Sequence, residues 1–192
     1  MLNELYIFIE RIDFDILYAI QQLRCGFLDG FFKAVTGIAG NWGHIWIILG
    51  VLLLIFRKTR ACGAAVLVSY GLVFLAGQLV LKDLIARPRP CHIDEAVRLI
   101  IDRPSSFSCP STHTAWAFGA VAAVFAFSKK WGSVTLIPAL IIAFSRLYLF
   151  VHFPTDVLFG VVLGALCGIV SALIVKALQK RFVSAGKTGK NP

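Results

Sequence analysis

Residues 155–175 read TDVLFGVVLGALCGIVSALIV, a run whose one charge, Asp156, stands at its start. A helix needs roughly 20 apolar residues to cross the hydrocarbon of a bilayer, and this run supplies them. Working back from it, residues 131–150 and 112–128 are similarly apolar, the second closed by Lys129 and Lys130. Residues 61–81 (ACGAAVLVSYGLVFLAGQLVL) end at Lys82, and the shorter run 42–56 (NWGHIWIILGVLLLI) is closed by Arg57, Lys58 and Arg60. Hydrophobic residues make up 58% of the 192-residue chain and the mean hydropathy is +0.82, whereas a soluble domain sits nearer half apolar. The fold class that follows is all-α: a polytopic membrane helical bundle with five or six transmembrane helices and N-terminal amphipathic helices. The length fits a single membrane-embedded domain over residues 1–183, with a polar basic tail at 184–192 that frays beyond Val183.

Residues 1–40 are the ambiguous part. Leu5, Ile9, Ile12, Ile16, Ile20 and Leu23 recur at helical spacing, interrupted by Glu10, Arg11, Asp13 and Asp15. Residues 27–39 are too short to span alone. Both segments read as interfacial amphipathic helices, the alternative being a sixth, partly polar span. The acids in residues 1–24 do not fit the apolar core of a cleavable signal peptide. The net charge of +9 and pI of about 9.6 would suggest nucleic acid in a soluble protein. Here the turns 57–60 and 129–130 and the tail from Lys176 hold ten of the nineteen Lys and Arg and none of the ten acids. The charge is therefore a topology signal, which puts these segments and the C-terminus in the cytoplasm. The expected location is the plasma or inner membrane, multi-pass, with segments 82–111 and 150–155 facing outside. The bilayer is the expected partner, nucleic acid is not, and the sequence does not fix the oligomeric state.

The polar residues that look out of place all fall at the outer ends of the spans. They form three clusters: KDLIARPRP (82–90), PSTH (110–113) and SRLYLFVHFPTD (145–156). Lys82, Arg89 and Arg146 are three cations that suit a phosphate if they converge, although a lone Lys or Arg at a helix end can simply snorkel to the surface. Asp156 follows His152 by four residues, a helix-neighbour spacing. A carboxylate on one imidazole nitrogen fixes the tautomer and leaves the other free to attack. Pro110 and Ser111 read as a turn and N-cap, which aims the first N–H groups of the next helix outward, where they favour an anion. His113 falls in that first turn. His44 and His92 have no such company and read as structural. No carboxylate cluster resembles a two-metal site, so neither a metal nor a cofactor is expected.

Taken together, Lys82-(six residues)-Arg89-Pro90, Pro110-Ser111-Thr112-His113 and Ser145-Arg146-(five residues)-His152-(three residues)-Asp156 resemble the three-part signature of the type 2 phosphatidic acid phosphatase and vanadium haloperoxidase superfamily. The match runs from residue 82 to 156. The resemblance implies that His152 attacks phosphorus to form a phosphohistidine, that Asp156 orients it, and that His113 protonates the leaving oxygen. Lys82, Arg89, Ser111, Thr112 and Arg146 would hold the phosphate, with no metal required. One departure is Thr112, where the family usually has glycine. Threonine costs little if position 112 is only the first helical residue, and crowds the site if glycine served close backbone approach.

The expected function is thus hydrolysis of a membrane lipid phosphate or pyrophosphate at the outer membrane face. The preferred substrate is undecaprenyl pyrophosphate, converted to undecaprenyl phosphate, ahead of phosphatidate or phosphatidylglycerophosphate. Vanadate-dependent halide oxidation shares the anion site but belongs to large soluble proteins, which this hydrophobic chain does not resemble. A membrane protein that binds lipid phosphate without turning it over is the non-enzymatic alternative. Of five cysteines, Cys62 and Cys167 lie in expected spans, and Cys25 lies between the two N-terminal segments. Cys91 and Cys109 share the outward loop, where an oxidising compartment would let them pair and tie the Arg89 motif to the PSTH turn.

Overall fold

A computed structural model describes residues 2–40 and 43–188. Every element among them is helical: α1 (Leu2–Gln21), α2 (Gly26–Ala39), α3 (His44–Ile55), α4 (Arg60–Val73), a π-helical stretch (Phe74–Leu81), α5 (Lys82–Ile85), α6 (Pro90–Ile93), α7 (Thr112–Phe125), α8 (Lys129–Tyr148) and α9 (Pro154–Thr188). The core is made where α4, α7, α8 and α9 meet, around Val66, Val73, Ala115, Trp116, Ala120, Ile142 and Val175. Glycines at four-residue spacing make the α7–α9 contact tight. A Cβ on Gly164 would lie 2.3 Å from the Ala115 carbonyl, and one on Gly168 would lie 2.4 Å from that of Gly119. Small residues let helix backbones approach closely where lipid offers no hydrophobic drive to associate. This contact fixes the start of α9 against the start of α7.

Three helical stretches are long and apolar enough to cross a membrane: Arg60–Ile93, Lys129–Tyr148 and Pro154–Arg181. A fourth crossing is available if α2 and α3, bent by 53°, act as one broken span. These are counts by length and composition among the described residues; Thr112–Phe125 is a further, shorter apolar helix. α3 starts at His44 and is too short by itself, and residues 41–42, where its span was expected to begin, lie outside the described residues. α7 has only 14 residues, ten of them buried, because it is an inner helix walled by its neighbours rather than a lipid-facing one. α9 also continues to Thr188, past the expected fraying point at Val183; residues 189–192 lie outside the described residues.

α1 is oriented by the same logic. Its expected apolar stripe, Leu5, Ile9, Ile12 and Ile16, faces outward, while Asp13 and Leu17 turn inward. For a protein whose solvent is lipid the apolar stripe is the outer surface, and the inward face is free to carry polar groups. α1 packs on α8 and α9, so it is joined to the bundle. Leu17, Cys91, Leu149, Phe150, Val151 and Phe153 form a second apolar cluster that caps the bundle at this end.

Candidate active site

The three sequence clusters meet at one end of the bundle, because the helices that carry them alternate in direction. α5 begins with Lys82, α7 begins with Thr112 and His113, α8 ends near Arg146, and α9 begins just after His152. Two non-glycine residues hold positive φ beside the site: Ala86 (49°), which ends α5 and turns the chain toward Arg87 and Arg89, and Phe150 (58°), which turns it from α8 toward His152. Such conformations cost on the order of 1–3 kcal/mol each. Packing holds Phe150, which is fully buried.

A cavity of about 1280 Å³ opens here, and Lys82, Arg89, Thr112, His113, Arg146 and His152 line it. Lys82, Arg89 and Arg146 are each only 4% exposed. Among the described residues none of the three forms an ion pair. Ser106 organises two of them: its hydroxyl receives Lys82 Nζ at 3.2 Å and Arg89 Nη2 at 3.0 Å, and its carbonyl receives Arg89 Nε at 2.6 Å. Arg146 Nε is buried without a hydrogen-bond partner. Burying a cation costs several kcal/mol unless it is compensated, a cost that an anion in the cavity would offset.

His152 stands between two environments. Its Nε2 lies 3.1 Å from Arg89 Nη1. A guanidinium can only donate, so Nε2 is the acceptor and carries the ring's lone pair. Its Nδ1 lies 3.8 Å from Asp156 Oδ2 and 3.5 Å from the Ser108 hydroxyl. Burial, and then the Arg89 charge, push the imidazole pKa down to about 3, leaving a neutral ring able to act as a nucleophile. Asp156 lies fully buried behind it and accepts from Ser108 Oγ, from the Phe153 N–H at 2.8 Å and from Arg87 Nη1 at 2.8 Å. His113 Nε2 donates to the Gly40 carbonyl at 3.0 Å, which leaves Nδ1 to serve the site.

Two expected site residues do not line the cavity. Asp156 acts from behind His152. Ser111 is fully buried, occupies the N-cap position of α7 without a side-chain cap bond, and sits 3.0 Å from the Thr114 hydroxyl. Thr112 begins α7 and its hydroxyl donates to Gln78 Oε1 at 3.3 Å, so it stands as an ordinary first helical residue. Gln78 comes from the π-helical stretch, a widened geometry that often marks functional positions. The expected Cys91–Cys109 bridge is not formed: both thiols are free and buried. Cys91 is drawn into the apolar cluster with Leu17 and Phe153. Cys109 stands near the Asp156 carboxylate, and burial first, with that charge, pushes its thiol up to about 12.

Sequence reading missed Arg87, Ser106, Ser108, Gln78 and Asp13. Arg87 was visible as the first arginine of RPRP, and Asp13 as a carboxylate one position away from the apolar stripe of α1. Both serines lie in a loop whose path no periodicity reveals.

The fold and site thus define an all-helical membrane protein with a cavity lined by buried cations and two histidines. Residues 61–180 match the model of the PAP2 superfamily, and the chain belongs to that family. It is 31% identical over 132 residues to the undecaprenyl-diphosphatase of Sulfolobus acidocaldarius, which covers 68% of this chain and 64% of that protein, just under two thirds of the relative's length. It is 29% identical over 192 residues to the lipid A 4'-phosphatase of Bacteroides thetaiotaomicron, covering 92% of this chain and 83% of the other. Its fold matches the crystal structure of the PAP2 type phosphatidylglycerolphosphate phosphatase from Bacillus subtilis with a TM-score of 0.69 at 27% identity, covering 90% and 87% of the two chains.

Proposed function

We propose that the protein is a lipid phosphatase that works through a phosphohistidine on His152, and that its substrate is undecaprenyl diphosphate. The observation that carries the chemistry is that Lys82, Arg89 and Arg146, buried and among the described residues without an ion-pair partner, line one cavity with His152, whose Nε2 lies 3.1 Å from Arg89 Nη1. In this reading the phosphoryl oxygens bind Lys82, Arg89 and Arg146. As the anionic phosphate binds, His113 takes up a second proton at Nδ1 while its Nε2–H stays on the Gly40 carbonyl. Nε2 of His152 attacks phosphorus, the bond to the leaving oxygen breaks with its electron pair going to that oxygen, and the oxygen takes the Nδ1 proton of His113. His113 then takes a proton from water, which attacks phosphorus, breaks the P–N bond and releases inorganic phosphate. Asp156 steadies the positive charge on the imidazole ring. The cations neutralise the transferring group themselves. Among the described residues no group of three His, Cys, Asp or Glu could hold a metal ion.

Two observations favour a diphosphate. The cavity is larger than one phosphate needs, and Lys33, Arg98 and Arg103 add exposed positive charge to its wall; a relative is an undecaprenyl-diphosphatase. In this reading the site faces outward from the plasma or inner membrane. Lys176 Nζ donates to the Ala126 carbonyl at 2.6 Å, so the basic segments at 126–130 and 176 share the end opposite the cavity, as a cytoplasmic end requires. The test is phosphate release from a panel of lipid diphosphates and monophosphates by detergent-solubilised protein with EDTA present. The expected result is highest turnover on undecaprenyl diphosphate, unaffected by EDTA and inhibited competitively by vanadate. Activity lost on chelation and restored by a divalent ion contradicts the mechanism, and preference for a phosphatidate or lipid A contradicts the substrate.

A further inference from the structure

Behind His152, on the side away from the cavity, a chain of buried charges runs across three elements. Asp156 on α9 binds Arg87 Nη1 through Oδ1 at 2.8 Å. Arg87, from the loop after α5, binds Asp13 Oδ2 through Nη2 at 2.8 Å. Asp13, on α1, is 1% exposed. Thr155 ties the ends: its N–H donates to Asp13 Oδ1 at 3.1 Å, its hydroxyl donates to Asp13 Oδ2, and Arg87 Nη1 reaches that hydroxyl at 2.7 Å. The Arg87 guanidinium also lies 3.9 Å over the Phe153 ring. Asp13 lies outside the matched residues 61–180, so an N-terminal helix supplies the last charge.

We infer that Arg87 and Asp13 are positioning residues for the reaction: Arg87 holds the Asp156 carboxylate against His152, and Asp13 balances Arg87 so that Asp156 keeps its charge for the imidazole. The physical need is plain. Forming the P–N bond puts positive charge on the ring, and Asp156 is the group that answers it. A lone arginine at 2.8 Å from Asp156 would spend that charge on itself, since opposite charges this close in a buried site interact strongly. With Asp13 on the far side, the Asp156–Arg87–Asp13 chain carries net negative charge facing the ring. The geometry also fixes the start of α9, because Thr155 and Asp156 are held by the same pair. The inference rests on His152 being the nucleophile.

Steady-state kinetics of the full chain in detergent, on undecaprenyl diphosphate, separate a charge relay from simple bracing. Asp13→Asn keeps the shape and removes the charge. The expected result is kcat lowered about tenfold with KM within about twofold, a coupling of ordinary size for contacting charges. In an Arg87→Gln background the same Asp13→Asn change is expected to alter kcat less than about twofold, because Asp13 acts through Arg87. If Asp13→Asn costs the same factor in both backgrounds, or leaves kcat unchanged, the relay is overturned. Should Asp13→Asn not accumulate in the membrane, Arg87→Lys takes its place. One ammonium cannot bridge two carboxylates as a guanidinium does, so kcat falls with KM held; an unchanged kcat overturns the relay. His152→Ala is run alongside. If it turns over normally the nucleophile assignment fails, and if it is inactive while the Asp13 results go against expectation, only the relay fails.

Discussion

On the cavity side of His152 lie Lys82, Arg89 and Arg146, buried and, among the described residues, without a carboxylate partner; on the far side lie Asp156 and Asp13, buried, with the half-buried Arg87 ion-paired to both. Both sides remove charges from solvent, and they compensate for it in opposite ways. The far side sets its charges against one another in two ion pairs, so they need no incoming charge to offset them. The cavity side leaves its charge open, at a cost that only an incoming anion offsets. The difference teaches where binding and where orientation reside. Losing a cation from the open side should weaken phosphate capture and transition-state stabilisation directly, whereas losing a member of the paired side should act only through the imidazole.

The comparison breaks first at the acid. His113→Ala is expected to lower turnover more than about 10³-fold, since the leaving oxygen would depart without a proton. Next, Arg146→Gln should lower kcat/KM about 10²- to 10³-fold, the range seen when one preorganised charge-stabilising donor is removed. Asp156→Asn should cost less, about 10- to 100-fold and mainly in kcat, since orientation is only part of the rate. If Asp156→Asn proves more damaging than Arg146→Gln, or raises KM more, the assignment of binding to one side and orientation to the other is wrong.

A smaller effect concerns pH. His152 has its pKa lowered from an ordinary 6.5 to about 3 by burial and by Arg89. The folded state therefore binds this proton more weakly than the unfolded chain does. Stability from this group is intact above about 6.5 and is lost as pH falls toward 3. Melting temperatures in detergent should drop between pH 6.5 and 4, and His152→Gln should flatten that slope; an equal slope in both proteins would refute the buried neutral imidazole. The smallest expected effect is at Thr112. Its hydroxyl bonds the Gln78 side chain rather than one of the cations or histidines, so Thr112→Gly should leave kcat within about threefold. A large fall would make Thr112 a specific part of the phosphate wall.

The sequence made the lipid-facing helices legible, because a 20-residue apolar run has few other homes. α7 is apolar for a second reason. Its apolar residues, Ala115, Ala117 and Ala120 among them, meet protein and not lipid, so its length is set by its neighbours rather than by bilayer thickness. α1 was readable as amphipathic but not as a contributor to the site, because periodicity gives a face and not what the face meets. The Gly160-x₃-Gly164-x₃-Gly168 spacing was in plain view and marks the α7–α9 contact that brings His113 toward Asp156. Of the site, the residues with strong chemistry near membrane ends were legible: Lys82, Arg89, His113, Arg146, His152 and Asp156. Ser106 and Ser108 were not, since a serine in an irregular loop carries no signal until the loop's path is known. The Cys91–Cys109 pairing failed for a related reason. Nearness to the same motifs in sequence said nothing about the apolar cluster that claims Cys91.

The central claim is that His152 becomes phosphorylated. Rapid acid-free quenching of the protein with undecaprenyl diphosphate labelled in its terminal phosphate, in EDTA, tests it directly. The account predicts a transient label that is stable to alkali and lost in acid, as a phosphoramidate is, that maps to the peptide containing His152, and that is absent in His152→Ala. Label on another residue, or full turnover by His152→Ala, would contradict it.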